Sequence, residues 1–301
     1  MTIERVAIIG LGLIGGSVGL AARAMLPEVA TSGWDADPQV RARASERGLV
    51  GAVCETAADA VGKADLVILC VPVGAMGDAA AAIADHLPPG AIVSDVGSSK
   101  RSVGEALAKA LPNACVIPAH PVAGTEKSGP DAGFAELFRH RWCILTPGGD
   151  ADAARVAALS AFWEGLGARV EVMDAAHHDL VLAVTSHIPH LIAYTIVGTA
   201  SDLEDVTRGE VIKYSAGGFR DFTRIAASNP VMWRDVFLSN RDAVLEVLGR
   251  FNEDLTALQR AIRNGDGDTL HDLFERTRAI RRSIIEEGQD DARPDFGRSD
   301  H

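Results

Sequence analysis

Short β-branched apolar runs alternate with alanine-rich segments of helical period along the first half of the chain. Residues 5–10 (RVAIIG), 31–35 (TSGWD), 65–71 (DLVILCV), 91–95 (AIVSD) and 114–119 (ACVIPA) have the length and residue types of buried strands. Between them, residues 14–25 and 74–86 place apolar side chains at helical spacing. This alternation predicts right-handed crossovers and an α/β fold, a parallel doubly wound sheet with helices on both faces. Residues 142–146 and 169–172, separated by the helical stretch 151–166, are expected to extend the same sheet.

The strand signal ends near Asp174. Residues 175–201, 230–264 and 268–287 read as long helices, the second marked by Phe237, Val244, Leu248, Phe251, Leu255 and Leu258. The expected organisation is a dinucleotide-binding domain over residues 1–173, an all-helical domain over 174–288, and a polar, aperiodic and therefore mobile tail over 289–301. The apolar side of the stretch beginning at Pro230 fits a homodimer interface. The core of an ordinary helix bundle fits it as well.

Composition narrows the class. The 301 residues are 47% hydrophobic and 23% charged, which is globular rather than disordered, with room for about two domains. A net charge of −12 argues against a nucleic acid or an anionic membrane surface as partner and favours a small molecule. Cys54, Cys70, Cys115 and Cys143 form no metal-ligand spacing, so neither a metal site nor a disulfide frame is expected. No apolar stretch of about 18 residues runs uninterrupted by charge or turn residues, which speaks against a membrane span. The chain starts directly on a strand with no basic leader, and the expected location is the cytoplasm.

The sequence Gly10-Leu-Gly12-Leu13-Ile14-Gly15 follows a strand and opens a helix. In that context Gly10 permits the tight turn, Gly12 lets backbone approach a pyrophosphate, and Gly15 lets helix and strand pack closely. Asp35, 20 residues beyond Gly15 at the end of the second strand, is placed to accept hydrogen bonds from the adenosine ribose. Together these features predict a Rossmann-like domain that takes NAD, because the Asp35 carboxylate would repel a 2′-phosphate. Arg41 and Arg43 keep NADP open as the less favoured cofactor.

Ligands of open parallel sheets sit beyond the carboxyl ends of the strands, which adds Val71-Pro72, residues 95–100 with Ser98, and residues 120–129. His120 is expected to end its strand exposed toward the crevice, as a neutral imidazole able to take a proton. Ser186-His187-Ile-Pro189-His190 puts two imidazoles at i, i+3 on a helix that Pro189 should kink. A metal pair would more usually show i, i+4 with a third acidic ligand, so no metal is expected. Residues 219–225 (FRDFTRI) bury Phe219, Phe222 and Ile225 while aligning Arg220 with Arg224, either a solvated face or a fork for a substrate carboxylate.

At HPVAGTEKSG (120–129), TSHIPH (185–190) and GGFRDFTRIAASNPVMWRD (217–235) the chain resembles the prephenate/arogenate, or cyclohexadienyl, dehydrogenases of tyrosine biosynthesis. The resemblance spans roughly residues 5–287. It implies NAD-dependent oxidative decarboxylation of prephenate to 4-hydroxyphenylpyruvate, of arogenate to tyrosine, or both. It assigns His120 as the base on the substrate's 4-hydroxyl and Ser98 as the group orienting that hydroxyl or the histidine. It also makes Arg224 the carboxylate grip, with His190 and Arg220 lining the same pocket and Thr125 and Glu126 near the substrate side chain. Ser186 and His187 join the substrate set through the same motif. With only a short tail beyond residue 287, tyrosine inhibition would have to act at the active site. A β-hydroxyacid dehydrogenase and a non-catalytic NAD-binding regulator are the competing readings. The first relies on a lysine in its helical domain, where this chain has only Lys213 beyond Lys127; the second would not need the intact His120, Ser98 and Arg224.

Overall fold

The computed structural model describes residues 2–125, 127–202 and 217–286. Glu126, Lys213 and the tail 289–301 lie outside the described residues. The chain divides into two compact units, Met1–Leu245 and Glu246–His301.

The first unit is built on a six-stranded parallel sheet of order β3-β2-β1-β4-β5-β6, with β1 (Arg5–Ile9), β2 (Ala30–Trp34), β3 (Ala52–Val53), β4 (Leu66–Leu69), β5 (Ile92–Asp95) and β6 (Cys115–Val116). Both faces are covered. Val6 and Ile8 of β1, with Leu66 and Ile68 of β4, point into one core shared with Val18, Leu49, Phe138 and Trp163. The alternate residues Ala7, Ile9, Val67 and Leu69 enter the other core with Met76, Ile83, Val103 and Leu107. Continuous apolar strands are what a sheet buried on both sides requires. The crossovers are α1 (Leu13–Met25), α2 (Pro38–Arg47), α3 (Ala57–Val61), α4 (Met76–Ile83) and α5 (Arg101–Ala110). The order reverses between β1 and β4, which opens a crevice at their carboxyl ends.

One sequence expectation fails here. The apolar run 114–119 is two strands in two sheets. Pro118 has no N–H to continue the ladder with β5, and its carbonyl instead accepts Thr146 N–H. Beyond it β7 (Ala119–Pro121) pairs antiparallel with β8 (Trp142–Leu145), which pairs parallel with β9 (Arg169–Val172). The later strands thus form a separate three-stranded sheet and do not extend the first; α6 (Ala153–Gly165), capped by the Asp152 carboxylate, lies between β8 and β9 in sequence.

After β9 the chain is helical: α7 (Ala175–Leu182), a π turn at Ala183–His187, α8 (Ile188–Asp202), α9 (Gly217–Thr223), a 3-10 turn at Arg224–Ala227 and α10 (Pro230–Ser239). The π turn is the local answer to Pro189, which cannot donate within the helix. Ile188 N–H donates to Ala183 O, five residues back. The run Ala175–Asp202 is long and apolar enough, by length and composition alone, to cross a bilayer, although Asp179, Ser186 and Pro189 interrupt it. Its His178, Asp179 and His187 are nevertheless buried and hydrogen-bonded within the first unit. The long helix expected from Pro230 is broken at Asn240. Its buried side-chain amide donates to Asp179 O at 2.8 Å and pairs with His187 Nδ1 at 3.0 Å, and the backbone turns there before α11 (Arg241–Asn264).

In the second unit α11 ends in a left-handed Gly265. The Gly265 and Asp266 amides bond back to Ile262 O and Ala261 O, and Asp266 then caps α12 (Gly267–Glu286) through Thr269 N–H. Leu255, Ile262, Phe274 and Ile280 stand exposed on these two helices.

Candidate active site

The glycine turn between β1 and α1 leaves no room for a side chain at Gly10 or Gly15. Gly10 has φ +99°, and a Cβ there would lie 2.5 Å from Cys70 O and 3.2 Å from Val71 Cγ1. A Cβ on Gly15 would lie 1.9 Å from Gly10 O, whereas one on Gly12 would meet nothing within 4 Å. That open space sits at the N-terminus of α1, where Gly16 N–H makes the first intrahelical bond, to Gly12 O. The amides of Leu13, Ile14 and Gly15 precede it and have no intrahelical acceptor, the arrangement that receives a phosphate. Asp35, just past β2, accepts Leu11 N–H at 2.8 Å and Asp37 N–H at 2.9 Å, so its carboxylate is fixed beside the turn. The residues present therefore fit a dinucleotide. Arg41 is tied to the Asp35 and Ala36 carbonyls, and Arg43 to Asp131 and Glu46.

Val71 and Pro72 follow β4, with Pro72 preceding a 3-10 turn at Val73–Ala75. Ser98 lies in the loop after β5, its backbone against His187.

His120 is the middle residue of β7 and is 7% exposed, so it is enclosed rather than presented openly at a strand end. The second sheet carries it inward. Its Nδ1 lies 2.9 Å from His178 Nε2, and His178 Nδ1 lies 2.8 Å from Asp179 Oδ1. Asp179 also accepts the amides of Lys100 (2.7 Å) and Arg101 (3.0 Å) at the start of α5. Burial pushes the Asp179 pKa up, but the hydrogen bonds from His178 and these amides outweigh it and hold the carboxyl below its usual range. An ionised carboxylate only accepts, so His178 carries its proton on Nδ1 and accepts at Nε2. His120 must then donate from Nδ1, which leaves its Nε2 lone pair for a substrate proton. Burial first, then the nearby His178, Lys100 and His187, hold the His120 pKa well below the ordinary imidazole value. It is a neutral base at neutral pH.

His187 and His190 both reach Trp233 of α10, His190 stacked on it at 3.6 Å and His187 edge-on at 6.0 Å. Burial pushes the His187 pKa down to about 4. His187 is fully buried, so it supports the site from behind. His190 Nδ1 bonds the Ser186 carbonyl at 2.9 Å; burial lowers its pKa, the bond to that carbonyl opposes this, and the Arg224 charge lowers it further.

The arginine segment departs from expectation. Helix α9 stops at Thr223 and the 3-10 turn starts at Arg224, so Arg220 and Arg224 do not share one helix face. Phe222 is exposed rather than buried. Arg220 is exposed and faces Asp221 at 3.8 Å. Thr125 accepts Lys127 N–H within its own turn, and no described contact carries it to His120.

Sequence reasoning placed Asp95 and Lys100 in the crevice segment 95–100 without giving either a role, and it missed His178, Asp179 and Asn240. The signals were present: an adjacent His-Asp pair in an otherwise apolar helix, and an Asn in the middle of an apparently continuous one.

Residues 18–172 match the nucleotide-binding domain of prephenate dehydrogenase, and residues 174–276 match its dimerization domain. The chain belongs to the prephenate dehydrogenase family. It is 47% identical to the cyclohexadienyl dehydrogenase of Zymomonas mobilis over 93% of this chain and 96% of that protein. Its structure is similar to that of prephenate dehydrogenase from Aquifex aeolicus in complex with hydroxyphenyl propionate and NAD+, with TM-score 0.87 and 31% identity over 94% and 99% of the two chains. Synechocystis arogenate dehydrogenase is also similar, with TM-score 0.79 and 27% identity over 93% and 99%. Membership makes this chain an NAD-binding oxidoreductase with a helical dimerization region, the class expected from the sequence.

Proposed function

We propose that this protein oxidatively decarboxylates prephenate, arogenate or both, using NAD, in tyrosine biosynthesis. The observation that carries the reading is the hydrogen-bonded chain Asp179–His178–His120, which fixes a neutral His120 with Nε2 as its free lone pair. His120 takes the proton of the substrate's 4-hydroxyl as hydride leaves the same carbon. Bound NAD supplies the acceptor for that hydride, held at the glycine turn with Asp35 on its ribose. The ring carboxylate departs as carbon dioxide, its bonding electrons complete the aromatic ring as a phenolate, and that oxygen takes the proton back from His120. Once His120 is protonated, its Nδ1–H bond to His178 strengthens and Asp179 stabilises the added charge.

Arg224, whose charge is felt at His190, is the cation that holds a substrate carboxylate. Ser98, in the loop after β5, orients the hydroxyl or His120. Thr125 and Glu126 are assigned to the substrate side chain, with Arg220 in the same substrate set. NAD is preferred to NADP because Asp35 repels a 2′-phosphate while Arg41 and Arg43 are committed elsewhere. The domain of residues 1–173 holds the dinucleotide, and residues 174–288 complete the substrate site and pair two copies through their exposed apolar helices. The four cysteines are free thiols, in keeping with a cytoplasmic enzyme. Tyrosine, the aromatised product, competes at the same pocket.

The test is the appearance of reduced nicotinamide when purified protein receives prephenate or arogenate, each with NAD and NADP. Turnover with NAD is expected, and the ratio of kcat/KM values names the preferred substrate. Folded, NAD-binding protein that turns over neither substrate would overturn the proposal.

A further inference from the structure

Beneath His120 lies a fully buried ion pair that the chemistry above does not use. Asp95, the last residue of β5, and Lys100, just before α5, are both 0% exposed and joined Nζ to Oδ2. Burial pushes the carboxyl up and the ammonium down in pKa, each opposed by the partner's charge. Such a pair is a poor stabiliser, since apolar side chains of similar volume commonly do as well. Its remaining bonds show a narrower purpose. Asp95 Oδ1 accepts Ala119 N–H at 3.2 Å, and Lys100 Nζ donates to Ala119 O at 2.6 Å. Gly97 N–H closes the loop on Asp95 Oδ2 at 2.7 Å. Both backbone polar groups of the residue before His120 are thereby tied to one ion pair.

The same segment reaches the histidine a second way. The amides of Lys100 and Arg101 hold Asp179, which holds His178, which holds the His120 ring. Residues 95–101 therefore grip His120 by its peptide and by its imidazole. We propose that Asp95 and Lys100 are positioning residues that set the His120 Nε2 lone pair at the reacting hydroxyl. This rests on the reading of His120 as the base.

Two variants of the NAD-bound enzyme test it. The double variant Asp95→Asn/Lys100→Met keeps the site neutral and removes the clamp on Ala119 O. Lys100→Gln keeps a donor for that carbonyl. Misplacing a reacting group by about 1 Å costs on the order of 10²-fold in rate, so kcat of the double variant should fall by about that factor. Its KM for NAD should be unchanged, and Lys100→Gln should fall between it and the parent. Lys100→Gln should also move the acidic limb of the kcat profile to higher pH. The charged or titratable groups facing His120 are His178, Lys100 and His187, and removing the Lys100 charge makes protonation of His120 easier. A folded double variant with unchanged kcat, or an acidic limb that stays in place, would overturn the positioning role. Failure of the base reading is seen separately, as a His120→Asn enzyme that keeps its kcat.

Discussion

The two halves of the site are made in opposite ways. The dinucleotide half is a contiguous stretch of backbone: three glycines, the first turn of one helix and a carboxylate 20 residues on. Its chemistry is the shape of the main chain, so its residues are local in sequence. The histidine half gathers residues 95–101, 119–120, 178–179, 187–190, 233 and 240, and its chemistry is a chain of side-chain hydrogen bonds. The backbone half is limited by volume, with no space for a Cβ at Gly10 or Gly15, whereas the assembled half depends on its partners' protonation states.

The largest test of this contrast is His120→Asn. Losing a general base costs about 10²–10⁴-fold, so kcat should fall by at least about 10²-fold with KM for NAD unchanged. Kinetics on the folded variant measures this. An intact kcat would leave the assembled half without a catalytic role.

Acid should undo the assembled half next. His187, fully buried, has its pKa pushed from 6.5 to about 4, so the folded state resists a proton that the unfolded chain accepts. The contribution is present above about pH 6.5 and is lost as pH falls toward 4. It amounts to about 3 kcal/mol from His187, with His120 and His178 acting in the same direction. Denaturant unfolding from pH 7 to 4 should show this slope, and His187→Gln should flatten it. An equal slope in the variant would mean that His187 is not the group responsible.

The glycine half should break by volume instead. A Gly15→Ala side chain would lie 1.9 Å from Gly10 O, which is backbone and cannot swing away. The helix must shift from the turn, costing about 1–3 kcal/mol and weakening NAD binding with no pH dependence. Calorimetric titration with NAD checks it, and parental affinity would show that the turn has slack.

This difference explains what the sequence made legible. The parallel strands and the glycine turn were readable because each follows from residues adjacent in the chain. The second sheet was hidden because one proline, Pro118, moves a continuous apolar run from one sheet to another. The break at Asn240 was hidden for a related reason: its partners, Asp179 O and His187, are more than fifty residues away. His120 was identifiable by its motif, but its burial and tautomer depend on His178 and Asp179, whose importance only the folded chain reveals.

The smallest expected effect lies where the two modes meet, at Asp35, a side chain that serves the backbone turn. Asp35→Ser keeps an oxygen for one of the Leu11 and Asp37 amides but removes the charge that opposes a 2′-phosphate. No new cation is released toward that phosphate, because Arg41 and Arg43 keep their existing partners. The gain is therefore only the relief of repulsion, about tenfold in the ratio of kcat/KM for NADP to that for NAD, or about 1.4 kcal/mol. A much larger shift would mean that an arginine swings in. An unchanged ratio would mean that a group other than Asp35 reads the ribose.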